Sequence, residues 1–439
     1  MGLFDFILGL FGWRPEPHSQ PDKKSGGRSP ASAPKLQSLS RKKFRGRRAG
    51  KYVRLAPLRR AGQLPPRTQL NDIAVPELPY PFARMGVLGG YLDLSRDGDH
   101  ERLAQLGLPD FQNPAQLAEW IGISVGKLAW LVHRCEEGQR PQDPRSAHYH
   151  FRWLKKRKGG YRLIEAPKTL LKTVQQKILR EILDLIPVHA ACHGFVSRRS
   201  IVTNALPHTG KRVVVKLDLE NFYTTVSHSR IVAIFRSLGY SREAAIWLAG
   251  LTTASVPPGL DVPEDNLFLL SAYRGRHLPQ GAPTSPTLAN LSAFSLDLRL
   301  AGLSRTFRAQ YTRYADDLTF SGSQKFLQSL PTFLQLVSKI ITSERFRLHP
   351  RKRQVLRNNQ QQKVTGVVVN SRVNIDRHEY DRVKALLHNC ILRGVSTQNH
   401  EHHEDFAQHV LGRIGHIKHL NPVRGEKLLE MFRRVDWTA

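Results

Sequence analysis

The segment YTRYADDLTF, residues 311–320, sets two adjacent aspartates, Asp316 and Asp317, between aromatic and β-branched residues. Residues of these types favour strands, and a short polar break between two such runs is typical of a tight β-hairpin. The sequence therefore predicts a hairpin that carries both carboxylates at its tip. Taken alone the pair could equally be an ordinary turn, because Asp is common in turns.

A second acidic position ends another apolar run. In VVVKLDLENFY, residues 213–223, a β-branched stretch leads directly into Asp218, which lies 98 residues before Asp316. Asp218 alone could simply cap a following helix. Carboxylates so far apart along the chain can converge only if their strands are neighbours in a sheet. We therefore expect the run at 213–218 to pair with the predicted hairpin.

Three converging carboxylates would repel one another unless a cation were bound between them. Carboxylate oxygens are hard ligands that select Mg²⁺, with Mn²⁺ as a possible substitute. The arrangement predicts a site for two Mg²⁺ ions about 3.5–4 Å apart, which is suited to in-line displacement at phosphorus.

The composition indicates a polyanionic partner. Lys and Arg number 67 against 36 Asp and Glu, a net charge of +31, and residues 1–70 alone hold 16 of the basic residues. Such an excess indicates nucleic acid more often than an anionic membrane surface. We expect residues 1–84 to form a disordered basic extension rich in Pro, Ser and Gly. Three widely spaced cysteines and the absence of a 20-residue apolar run favour a cytoplasmic protein without membrane contact.

Local patterns predict the elements around the acidic segments. Residues 115–134 read as two short helices, and residues 149–164 as a hairpin around Gly-Gly with a basic tip. Helical spacing of apolar residues covers 169–186, and residues 376–435 are helical in character. A further strand is predicted from Val364 to Val369.

Several motifs together resemble reverse transcriptases. The resemblance covers residues ~110–375 in order and spacing, and it rests on YADD (314–317), VVVKLDLENFYTTV (213–226), LPQGAPTSP (278–286) and GGYRLIEAP (159–167). It implies an α+β, right-hand polymerase fold with three parts beyond the basic extension. These are N-terminal helices and fingers at 85–210, a palm with an antiparallel sheet at 211–375, and a helical thumb at 376–439.

The resemblance also assigns roles at the acidic site. It implies that Asp218 and Asp316 ligate both metal ions, that Asp317 is a weaker ligand, and that the Leu219 carbonyl completes one ion. Tyr223 aligns with the steric gate that excludes a ribose 2′-OH and so favours dNTPs. An aromatic side chain is kept there, although retron enzymes more often have Phe.

Three further positions align with nucleotide contacts. Gln280 is expected to brace the incoming nucleotide and the template, and Arg162 to clamp the triphosphate with paired hydrogen bonds. Lys352 matches the lysine thought in this family to protonate pyrophosphate. For Arg162 and Lys352 a phosphate contact elsewhere in the cleft is an equal alternative.

Two short segments resemble retron reverse transcriptases in particular. NALPH (204–208) matches an Asn-Ala-x-x-His signature, and VTG (364–366) matches a Val-Thr-Gly signature. The resemblance implies that Asn204 and His208 position a structured RNA, although a purely structural histidine is an equal alternative. Thr365 and Gly366 are expected to shape a turn or strand near the primer and the RNA.

The expected function is therefore that of an RNA-directed DNA polymerase. What the retron family implies is reverse transcription of a cognate structured noncoding RNA into branched, RNA-linked single-stranded DNA (msDNA), with an effector protein in anti-phage defence. One alternative is another bacterial or group II intron-like reverse transcriptase, although intron enzymes usually continue into DNA-binding and endonuclease domains. Another is a non-catalytic RNA-binding scaffold, which the intact Asp218, Asp316, Asp317 and Gln280 disfavour.

Overall fold

The computed structural model describes residues 77–85, 90–133, 141, 143–156 and 159–437. The basic extension expected at 1–84 lies outside the described residues up to position 76. No helix in the described part of the chain is long and apolar enough to span a bilayer.

The N-terminal part of the described chain combines short helices with a long hairpin. Its elements in chain order are β1 (Arg84–Met85), β2 (Tyr91–Leu92), α1 (His100–Leu106), α2 (Pro114–Ile121), α3 (Val125–Leu131), β3 (Tyr149–Lys155), β4 (Tyr161–Pro167), α4 (Thr169–Glu181) and α5 (Ile201–Ala205). The two short helices α2 and α3, the β3–β4 hairpin and helix α4 confirm the local predictions for this region.

The central part builds a sheet covered by helices, and the C-terminal part is helical. The central elements are β5 (Val213–Asp218), α6 (His228–Leu238), α7 (Arg242–Thr252), α8 (Ser285–Ser292), α9 (Phe294–Thr306), β6 (Gln310–Tyr314), β7 (Asp317–Gly322), α10 (Gln324–Gln328), α11 (Leu330–Ser343), β8 (Gln354–Arg357), β9 (Lys363–Val364) and β10 (Val367–Val368). The C-terminal helices are α12 (Arg377–Arg393), α13 (Phe406–Leu420) and α14 (Pro422–Arg433).

The central sheet has the strand order β6-β7-β5-β8, and all its neighbouring strands are antiparallel. Its strands are dominated by aromatic and β-branched residues, which pack well on a pleated surface. Aromatic rings cover one face: the Phe333 ring of α11 lies 5.1 Å from that of Phe320 in β7, which stacks 4.9 Å from Tyr311 in β6. The predicted pairing of the 213–218 strand with the hairpin is confirmed.

The C-terminal helices share one hydrophobic core with the sheet and the β9–β10 hairpin. Val214, Val364, Val383 and Ile414 are all fully buried in this cluster. Helix α12 begins after Asp376, whose carboxylate accepts a hydrogen bond from the backbone N–H of His378 as an N-cap. The helical thumb therefore packs directly on the base of the palm.

The strand predicted from Val364 to Val369 is broken in the middle. Thr365 and Gly366 adopt positive φ values of 47° and 85°, so that the chain reverses and Val364 pairs with Val367. A second reversal follows, because Val368 and Asn374 exchange two backbone hydrogen bonds of 2.9 and 3.0 Å. Of the two shapes expected for Thr365 and Gly366, a turn or a strand, the structure therefore shows the turn.

Contacts between fingers and palm run across the expected boundary at 210. Leu163 of β4 is buried in a small cluster with Val256 and Tyr273. The Trp153 indole N–H donates to the Asp261 carbonyl (2.9 Å). The β3–β4 hairpin is therefore supported by residues 256–273, which lie between two palm segments in sequence.

Candidate active site

The strand register brings the acidic residues together. Asp218, the last residue of β5, is the antiparallel partner of Asp317, the first residue of β7. Asp317 also pairs with Tyr314, so that only Ala315 and Asp316 form the turn between β6 and β7. The hairpin tip is closed by Ala315, whose φ of 55° is a left-handed conformation. Side chains opposite one another on paired strands lie within about 5.5 Å at Cβ, so two of the three carboxylates are direct neighbours.

Backbone hydrogen bonds fix the chain on both sides of this pair. The Leu219 N–H donates to the Asp316 carbonyl at 2.9 Å, and the His349 N–H donates to the Asp218 carbonyl at 2.8 Å. Leu219 is buried and forms an isolated antiparallel bridge with Leu348. The backbone that presents the carboxylates is thus held by neighbours on both sides.

The pKa values of the two hairpin carboxylates are raised. Burial, followed by the charges of Asp218 and Asp317, raises the pKa of Asp316 to about 6. Burial also raises the pKa of Asp317, and Asp218 adds to that rise. Such shifts show negative charge that is under-compensated by the protein.

A divalent cation fits this donor set. Carboxylate oxygens are the ligands that Mg²⁺ prefers, and a cation would relieve the repulsion that raises the Asp316 pKa. Within the described ranges no group of three or more His, Cys, Asp or Glu side chains is arranged as a ready-made metal site. A lysine ammonium engages one of the three carboxylates at this position.

That ammonium belongs to Lys352. Its Nζ donates to both carboxylate oxygens of Asp218 at 2.9 Å, while the side chain remains half exposed. Lys352 follows the segment that pairs with Leu219, which explains its approach to Asp218. The lysine thus stands in for part of the positive charge that the carboxylates require.

The expected gate and clamp residues face the same site. Burial raises the pKa of Tyr223 to about 12; the negative charge of Asp316 adds to the rise, and the charge of Arg162 opposes it. Burial lowers the pKa of Lys156, which also senses Arg162, Lys352 and Asp218. The basic tip of the β3–β4 hairpin therefore lies within electrostatic range of the carboxylates, and Arg162 is exposed on it.

Gln280 lies on a loop that is joined to the fingers. Its carbonyl accepts a hydrogen bond of 2.8 Å from the Glu165 N–H in β4. A Cβ on Gly281, where φ is 136°, would lie 3.0 Å from the Glu165 carbonyl oxygen, so a glycine is required for this close approach. Glu165 also forms a buried 3.0 Å ion pair with His277 just before the loop. Burial opposes the charged ring, but Glu165 outweighs it and raises the pKa of His277.

The two retron-like segments meet in space. The Asn204 side-chain N–H₂ donates to the Thr365 hydroxyl at 3.4 Å, and Gly366 completes the turn that carries this threonine. Asn204 is 1% exposed, and its buried Oδ1 has no partner among the described residues. Asn204 therefore supports the Thr365–Gly366 turn from beneath, whereas Gly366 itself is exposed.

His208 is a buried component of the palm. Its ring is 0% exposed, with Nδ1 2.7 Å from the Ser321 hydroxyl and Nε2 2.8 Å from the Thr312 hydroxyl. Burial lowers its pKa to about 3, so the ring is neutral. No face of the ring is open to a base or a phosphate. The geometry favours the structural alternative, and any influence of His208 on RNA passes through strands β6 and β7.

Sequence reasoning missed a buried ion pair beneath the hairpin. Arg313 and Asp297 are both 0% exposed and are joined by two hydrogen bonds of 2.8 and 2.6 Å. Arg313 also donates to the Ala315 carbonyl in the turn (3.0 Å) and to the Asn290 side chain (2.9 Å). The signal was present as a lone charge in an apolar strand and another in an apolar helix, AFSLDLRL. Neither segment says that the two charges meet.

Comparison with known proteins identifies the family of the chain. Residues 154–369 match the family described as reverse transcriptase (RNA-dependent DNA polymerase). Two Myxococcus xanthus relatives are the retron Mx65 reverse transcriptase, 39% identical over 75% of this chain and 73% of the relative, and the retron Mx162 reverse transcriptase, 35% identical over 77% and 70%. The retron Ec86 reverse transcriptase of Escherichia coli is 31% identical over 76% and 93%.

The comparisons confirm the right-hand polymerase fold and the activity of an RNA-directed DNA polymerase that the motifs predicted. Identity above 30% extends over more than two thirds of each of these three relatives. The chain therefore belongs to the retron reverse transcriptases.

Proposed function

We propose that this reverse transcriptase copies a cognate structured noncoding RNA into branched, RNA-linked single-stranded DNA, msDNA. The observation that carries the polymerase chemistry is the antiparallel pairing of Asp218 with Asp317 beside the Asp316 turn. The retron assignment is supported by the relatives and by the contact between Asn204 and Thr365, which joins the two retron-like segments.

Asp218 and Asp316, with the Leu219 carbonyl and Asp317 as a weaker ligand, are the groups that would hold two Mg²⁺ ions, or Mn²⁺ in their place. Bound there, such ions would supply activation of the primer hydroxyl and neutralisation of the triphosphate charge. Lys352 would leave Asp218 as this charge arrives. Its ammonium would then be free to donate a proton to the departing pyrophosphate, and this exchange is consistent with its half-exposed position.

The nucleotide would lie between the fingers hairpin and the carboxylates. Arg162 on the exposed hairpin tip would bind the triphosphate, and Gln280 would brace the base pair from the loop that Gly281 ties to β4. Tyr223 would place its ring where a ribose 2′-OH must go. The substrate class is therefore dNTPs. As proposed above, the DNA product remains joined to its RNA.

The gate assignment is tested by Tyr223→Val. Removal of the ring should admit ribonucleotides while synthesis with dNTPs continues. The measurement is the ratio of kcat/KM for dNTP and rNTP in single-nucleotide addition, with Tyr223→Phe as the matched control because it keeps the ring. Unchanged discrimination in Tyr223→Val would remove Tyr223 from the gate.

Other partners follow from charge and family. The net charge of +31 supports extensive phosphate contacts, to which the basic extension would add a salt-dependent share. An effector protein and a role in anti-phage defence are proposed from the retron family. A cytoplasmic location is supported by the free, buried Cys192 and Cys390. Thr365 and Gly366, on the turn that Asn204 supports, would contact the RNA.

The other candidate functions receive less support. A non-catalytic scaffold would have no need of carboxylates held in a repulsive arrangement, which Asp316 retains with its raised pKa. A group II intron-like enzyme shares the catalytic motifs, but its kinship would not account for the retron-like segments at 204–208 and 364–366.

The function is tested by isolating the full chain with its bound nucleic acid. Treatment with DNase, RNase and debranching enzyme should reveal a discrete DNase-sensitive species whose mobility shifts on debranching. The same preparation from an Asp316→Ala variant should contain the RNA without joined DNA. RNA alone in both preparations would contradict msDNA synthesis and leave the scaffold function.

A further inference from the structure

Phe195 occupies an unfavourable position beside the catalytic hairpin. Its side chain is 56% exposed, and its backbone adopts φ 58°, the left-handed region that residues with a Cβ avoid. Its ring centroid lies 6.4 Å from the ring of Tyr314, the residue that precedes the Ala315–Asp316 turn. An exposed aromatic ring and a strained backbone thus coincide beside Tyr314, which lies two residues before Asp316 in sequence.

The preceding residues explain why Phe195 cannot relax. The His193 N–H donates to the Arg313 carbonyl at 2.7 Å, and the Asn290 side chain donates to the Gly194 carbonyl at 2.9 Å. A Cβ on Gly194 would lie 2.5 Å from the Ala315 nitrogen, so this backbone is pressed against the turn. The direction in which the chain leaves Gly194 is fixed, and the Phe195 ring is directed outward.

Two arginines, Arg198 and Arg199, follow three and four residues after Phe195, and their backbone or side chains are also constrained. The Arg199 guanidinium donates to the Ala190 carbonyl at 2.7 Å and also to the Cys192 carbonyl, which closes the segment into a loop. Arg198 is exposed with φ 60°. The loop therefore carries an exposed aromatic ring and, three residues later, an exposed guanidinium, groups that are suited to a base and to its phosphate.

Location identifies which bases could reach the ring. The primer end must lie at Asp218 and Asp316 for the reaction to occur, and Tyr314 is two residues from Asp316. We propose that Phe195 is a stacking site for a nucleobase at the reacting end of the template–primer duplex. The proposal rests on the polymerase function given above. Stacking on a ring face tolerates every base, as a polymerase that advances along its template requires.

Three substitutions in the full-length protein separate stacking from packing. Phe195→Tyr keeps the ring, Phe195→Leu keeps an apolar side chain of similar exposure, and Phe195→Gly removes the side chain and also the cost of positive φ. Phe195→Leu and Phe195→Gly should raise the Kd for an RNA-template/DNA-primer duplex by about fivefold or more, whereas Phe195→Tyr should bind like the unchanged protein. Phe195→Gly should melt at the same temperature or higher.

The matched control is Phe268→Leu, because Phe268 is 87% exposed in the short helical segment Leu267–Tyr273. This variant should leave the Kd unchanged. Equal weakening by Phe268→Leu, or an unchanged Kd in both Phe195→Leu and Phe195→Gly, would overturn the proposal. Kd is measured without nucleotides, so this test of stacking does not depend on DNA synthesis. Failure of the unchanged protein to extend the primer would count against the proposed function and not against the stacking site.

The salt dependence of binding gives a second readout. The slope of log Kd against log salt concentration depends on the number of phosphates that the protein neutralises. A stacking contact neutralises none, so Phe195→Gly should shift this plot without changing its slope. Arg198→Ala, which removes a cation from the same loop, should reduce the slope by about 1 if it contacts one phosphate. A changed slope in Phe195→Gly would show that the loop had moved and would contradict stacking.

Discussion

Strands β6 and β7 carry polar groups at both ends, and the two ends differ in how their charges are balanced. At the turn, Asp316 and Asp317 face Asp218, and the pKa values of both hairpin carboxylates are raised. At the opposite end, His208 bonds both ring nitrogens to hydroxyls of the same two strands and stays neutral. Negative charge at the turn is thus under-compensated, whereas the buried His208 ring has both nitrogens hydrogen-bonded and ties the two strands together.

The largest expected effect comes from the unbalanced end. Asp316→Ala should reduce DNA synthesis at least about a thousandfold, since the loss of a metal ligand forfeits several kcal/mol of transition-state stabilisation. Its stability should not fall, because repulsion among the carboxylates is relieved. Primer extension and thermal melting measure the two effects. Asp381→Asn, on an exposed face of α12, is the control; residual synthesis near the normal rate would disprove the role of Asp316.

The ion pair beneath the turn should have the next largest effect. Arg313→Met leaves the buried Asp297 without a cation, although the Tyr311 hydroxyl still donates to it, and should lower the free energy of unfolding by about 3 kcal/mol in chemical denaturation. The double variant Arg313→Met/Asp297→Leu should recover only part of this loss, because the buried Tyr311 hydroxyl then loses its acceptor. Its synthesis should stay slow, because the Ala315 carbonyl and Asn290 still lack their donor. A loss below about 1 kcal/mol in the single variant would show that the pair does not support the turn.

The buried His208 should make the free energy of unfolding depend on pH. The pKa of His208 is about 3 in the folded protein and about 6.5 when unfolded, so between these values only the unfolded state binds a proton. The neutral His208 ring therefore contributes fully to the free energy of unfolding above pH 6.5. This contribution is lost as the pH falls toward 3, and the free energy of unfolding is about 2 kcal/mol lower at pH 5. His208→Gln should flatten this acid limb in denaturation measured from pH 7 to pH 4. An equally steep limb in the variant would assign the loss to other groups.

The smallest effect concerns the substitute cation. Lys352→Met should tighten Mn²⁺ binding to the protein without nucleotide by about fivefold, because the ion pair of the half-exposed Lys352 with Asp218 is worth about 1 kcal/mol. Isothermal titration calorimetry measures the affinity, and Arg353→Met removes the same charge from a neighbouring position. Weaker Mn²⁺ binding in Lys352→Met than in Arg353→Met would mean that the lysine assists the ion rather than competing with it.

The sequence predicted the elements with short-range signals. The β6–β7 hairpin, the Gly159–Gly160 hairpin and the thumb helices are encoded by turn residues and periodicity within about 20 residues. The pairing of the 213–218 strand with the hairpin was predicted because carboxylates far apart in sequence can form one site only if their strands are neighbours in a sheet. The Arg313–Asp297 pair could not be predicted, since no local pattern says which buried charge meets which.

Burial also separates what motifs can and cannot tell. The NALPH motif marked a position that matters, but it did not distinguish a residue that touches RNA from one that supports a strand. His208 lies wholly inside, and Asn204 acts through the Thr365 turn. A motif identifies a position in the sequence but not where the side chain at that position points. For His208 the direction depends on Thr312 and Ser321, which are more than 100 residues away in sequence.

The chain that presses on the turn has a further consequence for how the molecule behaves at high concentration. Strand β6 is one edge of the sheet, and an open edge can recruit strands from other molecules. Residues 191–193 cover it in parallel, exchanging two 2.7 Å hydrogen bonds with Arg313. At the other edge β8 has four residues, ends in Arg357 and is preceded by Arg353. One edge is capped and the other is short and positively charged, so the sheet is protected against edge-to-edge aggregation.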